Sequence, residues 1–457
     1  MQKLMDWLEK FVVPVAVKIG SIRWLVALRD GFISTLPITM AGSLATLLNA
    51  LLNTYPAQWG WTGFINAVAP VVAVDGIVWN GTLAIFALYF AVMWGYHLAA
   101  DYDTDGLSGA LVSVAAFFMT INSNAVLAIA KALPKSAATT LTTAGATVTD
   151  SSVSVAGAFS MANMNSASLF TAMIFGGIAV VIYIWLMKKD ITIKMPDSVP
   201  PAVSKAFTAL IPSIAAIYVV AIINYIFTQV TGQFFGDWLS ATIQAPLIGA
   251  GQSAGMVILV SLLVQIFWFF GIHGPNVLGP VLEGIWTPAQ LSNIESLKNG
   301  TPFKYFWTRG SFDAYVWFGG SGGTIVLLLA ILLFSKRADE KTVAKLAFAP
   351  GLFNINEPVM FGLPIVLNAI YFVPFIVAPV INTIIAYVVC SLGWVSPVQV
   401  AVPWITPPIL NAWMATNFDW RAALLALVNM VIAFFIWVPF VRMSSKVAAE
   451  TNDEIAA

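Results

Sequence analysis

Long intervals of this chain contain no Asp, Glu, Lys or Arg: Gly31–Val74, Gly106–Ala130, Ser151–Met187, Ala206–Gly236, Ala314–Ser335, Pro358–Phe418 and Ala422–Phe440. An apolar run of about 20 residues crosses a bilayer as a helix, and without water the backbone there must bond to itself. The pattern therefore predicts an all-α polytopic membrane protein. Composition leaves little alternative: 9% of the 457 residues are charged and 59% hydrophobic, whereas soluble domains carry about 25% charged residues. A net charge of zero removes the electrostatic case for nucleic acid. The single cysteine, Cys390, excludes a disulfide framework or a Cys-rich metal centre. Met1–Gly20 is charged and amphipathic without a small-residue cleavage site, unlike a secretory signal peptide.

Spanning helices are expected near 30–53, 76–98, 106–129, 168–187, 207–229, 252–270, 314–335, 370–392 and 421–441, with a Pro-rich candidate at 398–418, about ten in all. Amphipathic interfacial helices join them. Basic residues cluster at Lys3–Arg29, Lys188–Lys205, Lys336–Lys345 and Arg442–Lys446, so these flanks and both termini are expected on the cytoplasmic side. Parity then fails. Three candidate spans lie between the Lys188 and Lys336 flanks, and three between Lys345 and Arg442, where even numbers are required. Either Phe234–Gly249 or His273–Ile285 must also cross or partly cross, which points to re-entrant or broken elements. Lys135–Ser168, rich in Ala, Ser, Thr and Asn, reads as an extracytoplasmic loop with a β-hairpin.

Two hydrophobic segments are too interrupted for ordinary spans: Phe270–Ile285 (FGIHGPNVLGPVLEGI) and Phe353–Asn368 (FNINEPVMFGLPIVLN). They share the pattern F-x-I-x-x-P-x-x-x-G, which lays Phe270, Ile272, Pro275 and Gly279 on Phe353, Ile355, Pro358 and Gly362, and His273 on Asn356. Paired, Gly/Pro-broken segments point to a transporter's binding site, because freed backbone groups survive only where protein or a cavity satisfies them. Hairpins are expected near 271–290 and 351–368. They fall in a C-terminal substrate-binding half (232–457), against a plainer N-terminal half (1–231).

Glu357 is the only charge between Lys345 and Asp419, and a charge inside apolar sequence costs about 2.5–3.5 kcal/mol on insertion scales. With Asn354 and Asn356 it forms a cluster at a Pro-broken backbone, expected to be buried. Such a cluster suits sugar hydroxyls, which need donors and acceptors at close range; the bland alternative is that it only satisfies the broken backbone. His273, flanked by Gly271 and Gly274, is a ligand contact or a satisfied core histidine. His97, beside Asp101, Asp103 and Asp105, belongs in a cytoplasmic loop. Glu283 faces a cavity or the aqueous edge, and Arg29 and Asp30 read as an interfacial ion pair. Trp268, Trp404 and Trp413 are sugar-stacking platforms or membrane-belt residues. Gly319, Gly320, Gly322 and Gly323 lack the Lys of a phosphate loop and read as helix-packing positions. No metal or cofactor motif is present.

With these residues in view, the chain resembles the lactose/cellobiose-type (N,N'-diacetylchitobiose-type) enzyme IIC permeases of the sugar phosphotransferase system. The most specific element is FNINEPVMFGLPIVLN, supported by Ile193–Pro212 (IKMPDSVPPAVSKAFTALIP), Phe267–Pro275 (FWFFGIHGP), Phe318–Thr324 (FGGSGGT) and Arg29–Gly42 (RDGFISTLPITMAG). The resemblance implies a homodimer in the bacterial cell membrane, with N-terminal helices at its interface and two re-entrant hairpins in the C-terminal half. It implies binding of a sugar, such as cellobiose or diacetylchitobiose, whose 6-hydroxyl is phosphorylated by a phosphocysteine on a separate IIB protein. Glu357 would bind that hydroxyl as general base. His273 would hydrogen-bond the sugar with Asn356 and Asn354 nearby, and Trp268 and Trp404 would contact the rings. Cys390 lies in an apolar run (AYVVCSLGW) with nothing to favour a thiolate, so the donor is expected on another polypeptide. On physics alone an ion-coupled secondary sugar transporter fits the broken hairpins equally well.

Overall fold

The computed structural model describes Lys10, Lys18 and residues 21–121, 123–129, 133–159, 161–196, 198–363 and 365–456. In chain order the helices are α1 (Arg23–Ser34), α2 (Leu36–Asn49), α3 (Tyr55–Gln58), α4 (Thr62–Asn80), α5 (Phe86–Asp101), α6 (Gly106–Thr120), α7 (Lys135–Thr143), α8 (Leu169–Lys188), α9 (Pro201–Thr231), α10 (Phe235–Leu239) and α11 (Ala245–Ala250). They continue as α12 (Ala254–Phe269), α13 (Gly274–Val277), α14 (Gly279–Val281), α15 (Thr287–Asn299), α16 (Arg309–Tyr315), α17 (Thr324–Phe334), α18 (Ala338–Leu352), α19 (Glu357–Gly362), α20 (Ala369–Ser391), α21 (Leu410–Ala415) and α22 (Trp420–Ala456). Three strands, β1 (Asn124–Ala128), β2 (Ala146–Val148) and β3 (Ser152–Ala156), form one antiparallel sheet in the order β1-β3-β2. The protein is an all-α polytopic membrane protein.

Among the described residues six helical stretches are long and apolar enough to span: Arg23–Ala57, Thr62–Asp101, Ser166–Lys188, Pro201–Thr231, Ala369–Ser391 and Trp420–Ala448. Phe235–Ala250 and Ala254–Phe269 pass together but bend by 67° at their break, and α6 and α17 are shorter apolar helices. Phe235–Ala250 is thus a second apolar helical stretch, bent against the expected 252–270 span. Three expected spans come out differently. The helix from Gly106 stops at Thr120, not at 129, because the Asn/Ser-rich segment after it turns into β1, whose partner β3 belongs to the expected hairpin. The stretch 314–335 is interrupted at Val316–Gly323, where Gly319, Gly320, Gly322 and Gly323 all adopt positive φ. The Pro-rich 398–418 holds only the short α21, since prolines remove helix donors. His97 lies in α5, not in a loop, and its Nε2 is 2.7 Å from the Ser34 hydroxyl.

The chain divides into two units. One comprises Asp30–Leu36 and Asn80–Pro246 and is built on α5, α6, α8 and α9. Asp105 caps α6 by accepting from the Ser108 N–H (2.8 Å). A Cβ on Gly95 would come within 2.6 Å of the Gly109 carbonyl, and one on Gly109 within 2.6 Å of the Gly95 carbonyl. These two glycines let α5 and α6 touch backbone to backbone, as membrane helices do where side chains are small.

The other unit comprises Met1–Arg29, Pro37–Trp79 and Leu247–Ala457. Its core of Phe269, Phe312, Tyr315, Leu327, Phe375 and Trp437 is sealed from the surface. A polar seam runs through it: Thr383 on α20 donates to the Ser261 hydroxyl on α12 (2.8 Å), and Asn429 on α22 donates to the carbonyls of Asn382 (3.1 Å) and Tyr315 (3.0 Å). At one end Glu340, nearly fully buried, accepts from Tyr371 (2.8 Å), Ser335 (2.6 Å) and Ser444 (2.7 Å). This carboxylate pins the start of α18 to α17, α20 and α22, fixing the helix that leads into the Asn354–Glu357 segment.

Candidate functional site

The two broken segments terminate their helices in the same way. At the end of α12, Gly271 (φ +77°) donates to the Trp268 carbonyl (2.9 Å) and Ile272 to the Phe267 carbonyl (3.0 Å). At the end of α18, Asn354 (φ +63°) donates to Gly351 (3.0 Å) and Ile355 to Pro350 (3.1 Å). Both are left-handed helix caps with paired back-bonds. Two residues on, His273 and Asn356 occupy the N-cap positions of α13 and α19, each helix then carrying proline in its first turn. The terminations are thus matched in backbone geometry, whereas the restarts differ: His273 is extended and its side chain caps α13, while Asn356 is in the right-handed helical region and makes no side-chain cap. Asparagine tolerates the left-handed conformation that Gly271 adopts freely.

The segments also touch. The Leu367 N–H (φ +58°) donates to the Phe269 carbonyl (3.0 Å), and a Cβ on Gly271 would lie 3.4 Å from Val366 Cγ1. Gly274 runs so close to α12 that a Cβ would meet the Val264 carbonyl at 2.2 Å.

In the second segment burial alternates: Asn354 and Asn356 are buried, Ile355 and Glu357 exposed. Asn354 is fully committed to protein. Its Oδ1 accepts from the Gly319 N–H (2.8 Å), and its Nδ2 donates to the carbonyls of Trp404 (2.6 Å) and Thr406 (2.9 Å). Asn356 Nδ2 donates to the Ser321 carbonyl (3.1 Å). The glycine-rich loop wraps this segment tightly, for a Cβ on Gly320 would fall 2.8 Å from Asn356 Cγ. These glycines shape a loop around the break, where the sequence pointed to helix packing. Glu357 differs from its neighbours. It is exposed, not buried as the sequence led one to expect, and among the described residues no hydrogen bond or ion pair engages its carboxylate. The alternation explains this: with two asparagines turned inward to close the break, the intervening side chains turn out.

His273 is half-buried. Its Nδ1 accepts from the Asn276 N–H (3.2 Å), so in the neutral ring the proton sits on Nε2, which is left as a donor. The charges of Glu357 and Arg29 both act on this imidazole. Trp268 is 3% exposed and lies under the His273 ring, 4.7 Å between centroids. Trp404 presents an exposed ring while its carbonyl anchors Asn354, and Trp413 donates to the Phe418 carbonyl (3.1 Å). Glu283 joins an ion cluster, accepting from Arg309 (2.9 Å), which also bonds Asp313 (2.9 Å). Neither Arg309 nor Asp313 stood out in the sequence.

Residues 29–379 match the family of phosphotransferase system EIIC proteins. The chain belongs to that family. It is 45% identical to the cellobiose-specific EIIC component of Lactococcus lactis subsp. lactis (strain IL1403), over 98% of this chain and 99% of the relative. It is 31% identical to the oligo-beta-mannoside-specific EIIC component of Bacillus subtilis (strain 168), over 99% of this chain and 97% of the relative. Among solved structures it is similar to the transporter ChbC, the IIC component of the N,N'-diacetylchitobiose-specific phosphotransferase system. The TM-score is 0.87 and the identity 32%, covering 97% of this chain and 99% of that one. The protein is thus an EIIC sugar permease of the lactose/cellobiose type, and phosphorylation-coupled uptake displaces the ion-coupled alternative.

Proposed function

We propose that this EIIC chain binds a β-linked disaccharide, of the cellobiose or diacetylchitobiose kind, and offers its 6-hydroxyl to the phosphocysteine of a separate IIB protein. The observation that carries this reading is the Glu357 carboxylate, which no hydrogen bond or ion pair engages among the described residues, at a break whose asparagines are already engaged. An unengaged carboxylate within electrostatic range of an imidazole is poised to accept a hydroxyl proton. In the transfer, the sugar oxygen forms a bond to phosphorus as the phosphorus–sulfur bond breaks. The electron pair leaves with the thiolate, and the hydroxyl proton passes to Glu357. His273 Nε2 donates to the sugar, Asn356 lines the same break, and Trp404 supplies a ring face. Trp268 and Asn354 act through what they hold, the imidazole and the hairpin. Cys390, the only cysteine, is buried in α20, which supports a donor on another protein. The relatives named for cellobiose and diacetylchitobiose support the sugar class.

Both termini and the basic flanks face the cytoplasm in this reading, where IIB docks near Lys188–Lys205 and Lys336–Lys345. Residues 232–457 form the substrate-binding half, and residues 1–231 pair with a second copy in the lipid bilayer. The test is uptake into proteoliposomes loaded with phosphorylated IIB. Labelled cellobiose should appear inside as its 6-phosphate. Glu357→Gln should slow this by about a hundredfold or more, within the usual span for a general base, while sugar affinity falls less than tenfold. Unmodified sugar accumulating against its gradient would overturn the reading.

A further inference from the structure

Phosphorylation turns a neutral ligand into an anion, so a site that stabilises the transferring group needs a cation beside its general base. Glu357 cannot supply one. Arg29 has the right placement. It lies in α1, and its side chain runs against Gly279 in the first broken segment, where an added Cβ would sit 2.8 Å from Arg29 Cγ and 3.1 Å from Cδ. Gly279 lies six residues beyond His273 on that segment. The positive charge of Arg29 also acts on the His273 ring, with a sign opposite to that of Glu357. The sequence reading of an interfacial ion pair does not require this packing on Gly279.

We propose that the Arg29 guanidinium, threaded past Gly279, is the phosphate-binding group of this site. It contacts the phosphoryl oxygens during transfer and the sugar 6-phosphate before release. This rests on the phosphorylation reading above. Guanidinium offers a planar fork that matches phosphate oxygens in pairs, which the ammonium of lysine does not. Gly279 then has a definite reason to be glycine: any side chain there pushes Arg29 aside.

The experiment compares wild type, Arg29→Gln, Arg29→Lys and Gly279→Ala as purified protein. It uses calorimetric binding of cellobiose, binding of cellobiose 6-phosphate, and transfer from phosphorylated IIB. For Arg29→Gln, cellobiose affinity should stay within about threefold, while affinity for the phosphorylated sugar falls about tenfold or more, the size expected for losing a charge-assisted contact. Transfer should fall about a hundredfold or more. Arg29→Lys should recover part of the phosphosugar affinity, and Gly279→Ala should reproduce the selective loss with the arginine still present. Equal loss of both ligands in Arg29→Gln, or unchanged phosphosugar affinity, would overturn the assignment and leave Arg29 as packing. If wild type itself fails to phosphorylate cellobiose, the proposed function fails instead.

Discussion

His273 and Asn354 are both polar residues at a helix break, and their hydrogen bonds separate their roles. The imidazole uses one nitrogen on its own turn and keeps the other as a donor. The Asn354 amide spends its oxygen and both hydrogens on three backbone groups from two different loops. His273→Ala should therefore weaken cellobiose binding by roughly three- to tenfold, the worth of about one hydrogen bond, and leave thermal stability nearly unchanged. Asn354→Leu should show the reverse priority. It strands a buried N–H and two carbonyls and places a branched side chain at positive φ, costing about 3 kcal/mol or more. Thermal denaturation in detergent, followed beside calorimetric sugar binding, distinguishes the two; a stable Asn354→Leu protein would contradict the staple role. The sequence could single out both residues because each sits beside Gly or Pro in apolar surroundings. It could not tell binder from staple, since that depends on where Gly319 and Trp404 arrive in space.

At the scale of elements, the glycine-rich loop Phe318–Gly323 was legible as composition but not as purpose. Four glycines near an apolar helix suit close packing as well as a loop, and only their positive φ values decide for the loop. Gly320 and Gly323 share that strained backbone, yet a Cβ on Gly320 strikes Asn356 while one on Gly323 meets open space. Gly320→Ala should impair sugar binding more than Gly323→Ala, although the local backbone penalty of about 1–3 kcal/mol is common to both. Equal effects in the two variants would mean that the loop does not support the second segment. Broken helices were foreseen from parity and from Gly/Pro spacing. The end of α6 falls short of the expected span because Asn124–Ala128 pairs with Ser152–Ala156, far downstream in the chain. Pairing over that distance leaves no local signature.

For the whole molecule, hydropathy and basic flanks carried most of the reading, because the bilayer leaves a backbone so few choices. Membership of the EIIC family supplied what physics left open, namely phosphorylation in place of an ion gradient. Orientation is testable directly. Cysteines introduced at Lys188 and Lys336 in a Cys390→Ser background should react with an impermeant maleimide in inside-out vesicles and not in intact cells; labelling from outside would reverse the topology. One further consequence follows from the bond between Leu367 and Phe269. That bond ties the exit of the second broken segment to the entry of the first, and its worth of about 0.5–1.5 kcal/mol favours a displacement shared by the two over one that parts them.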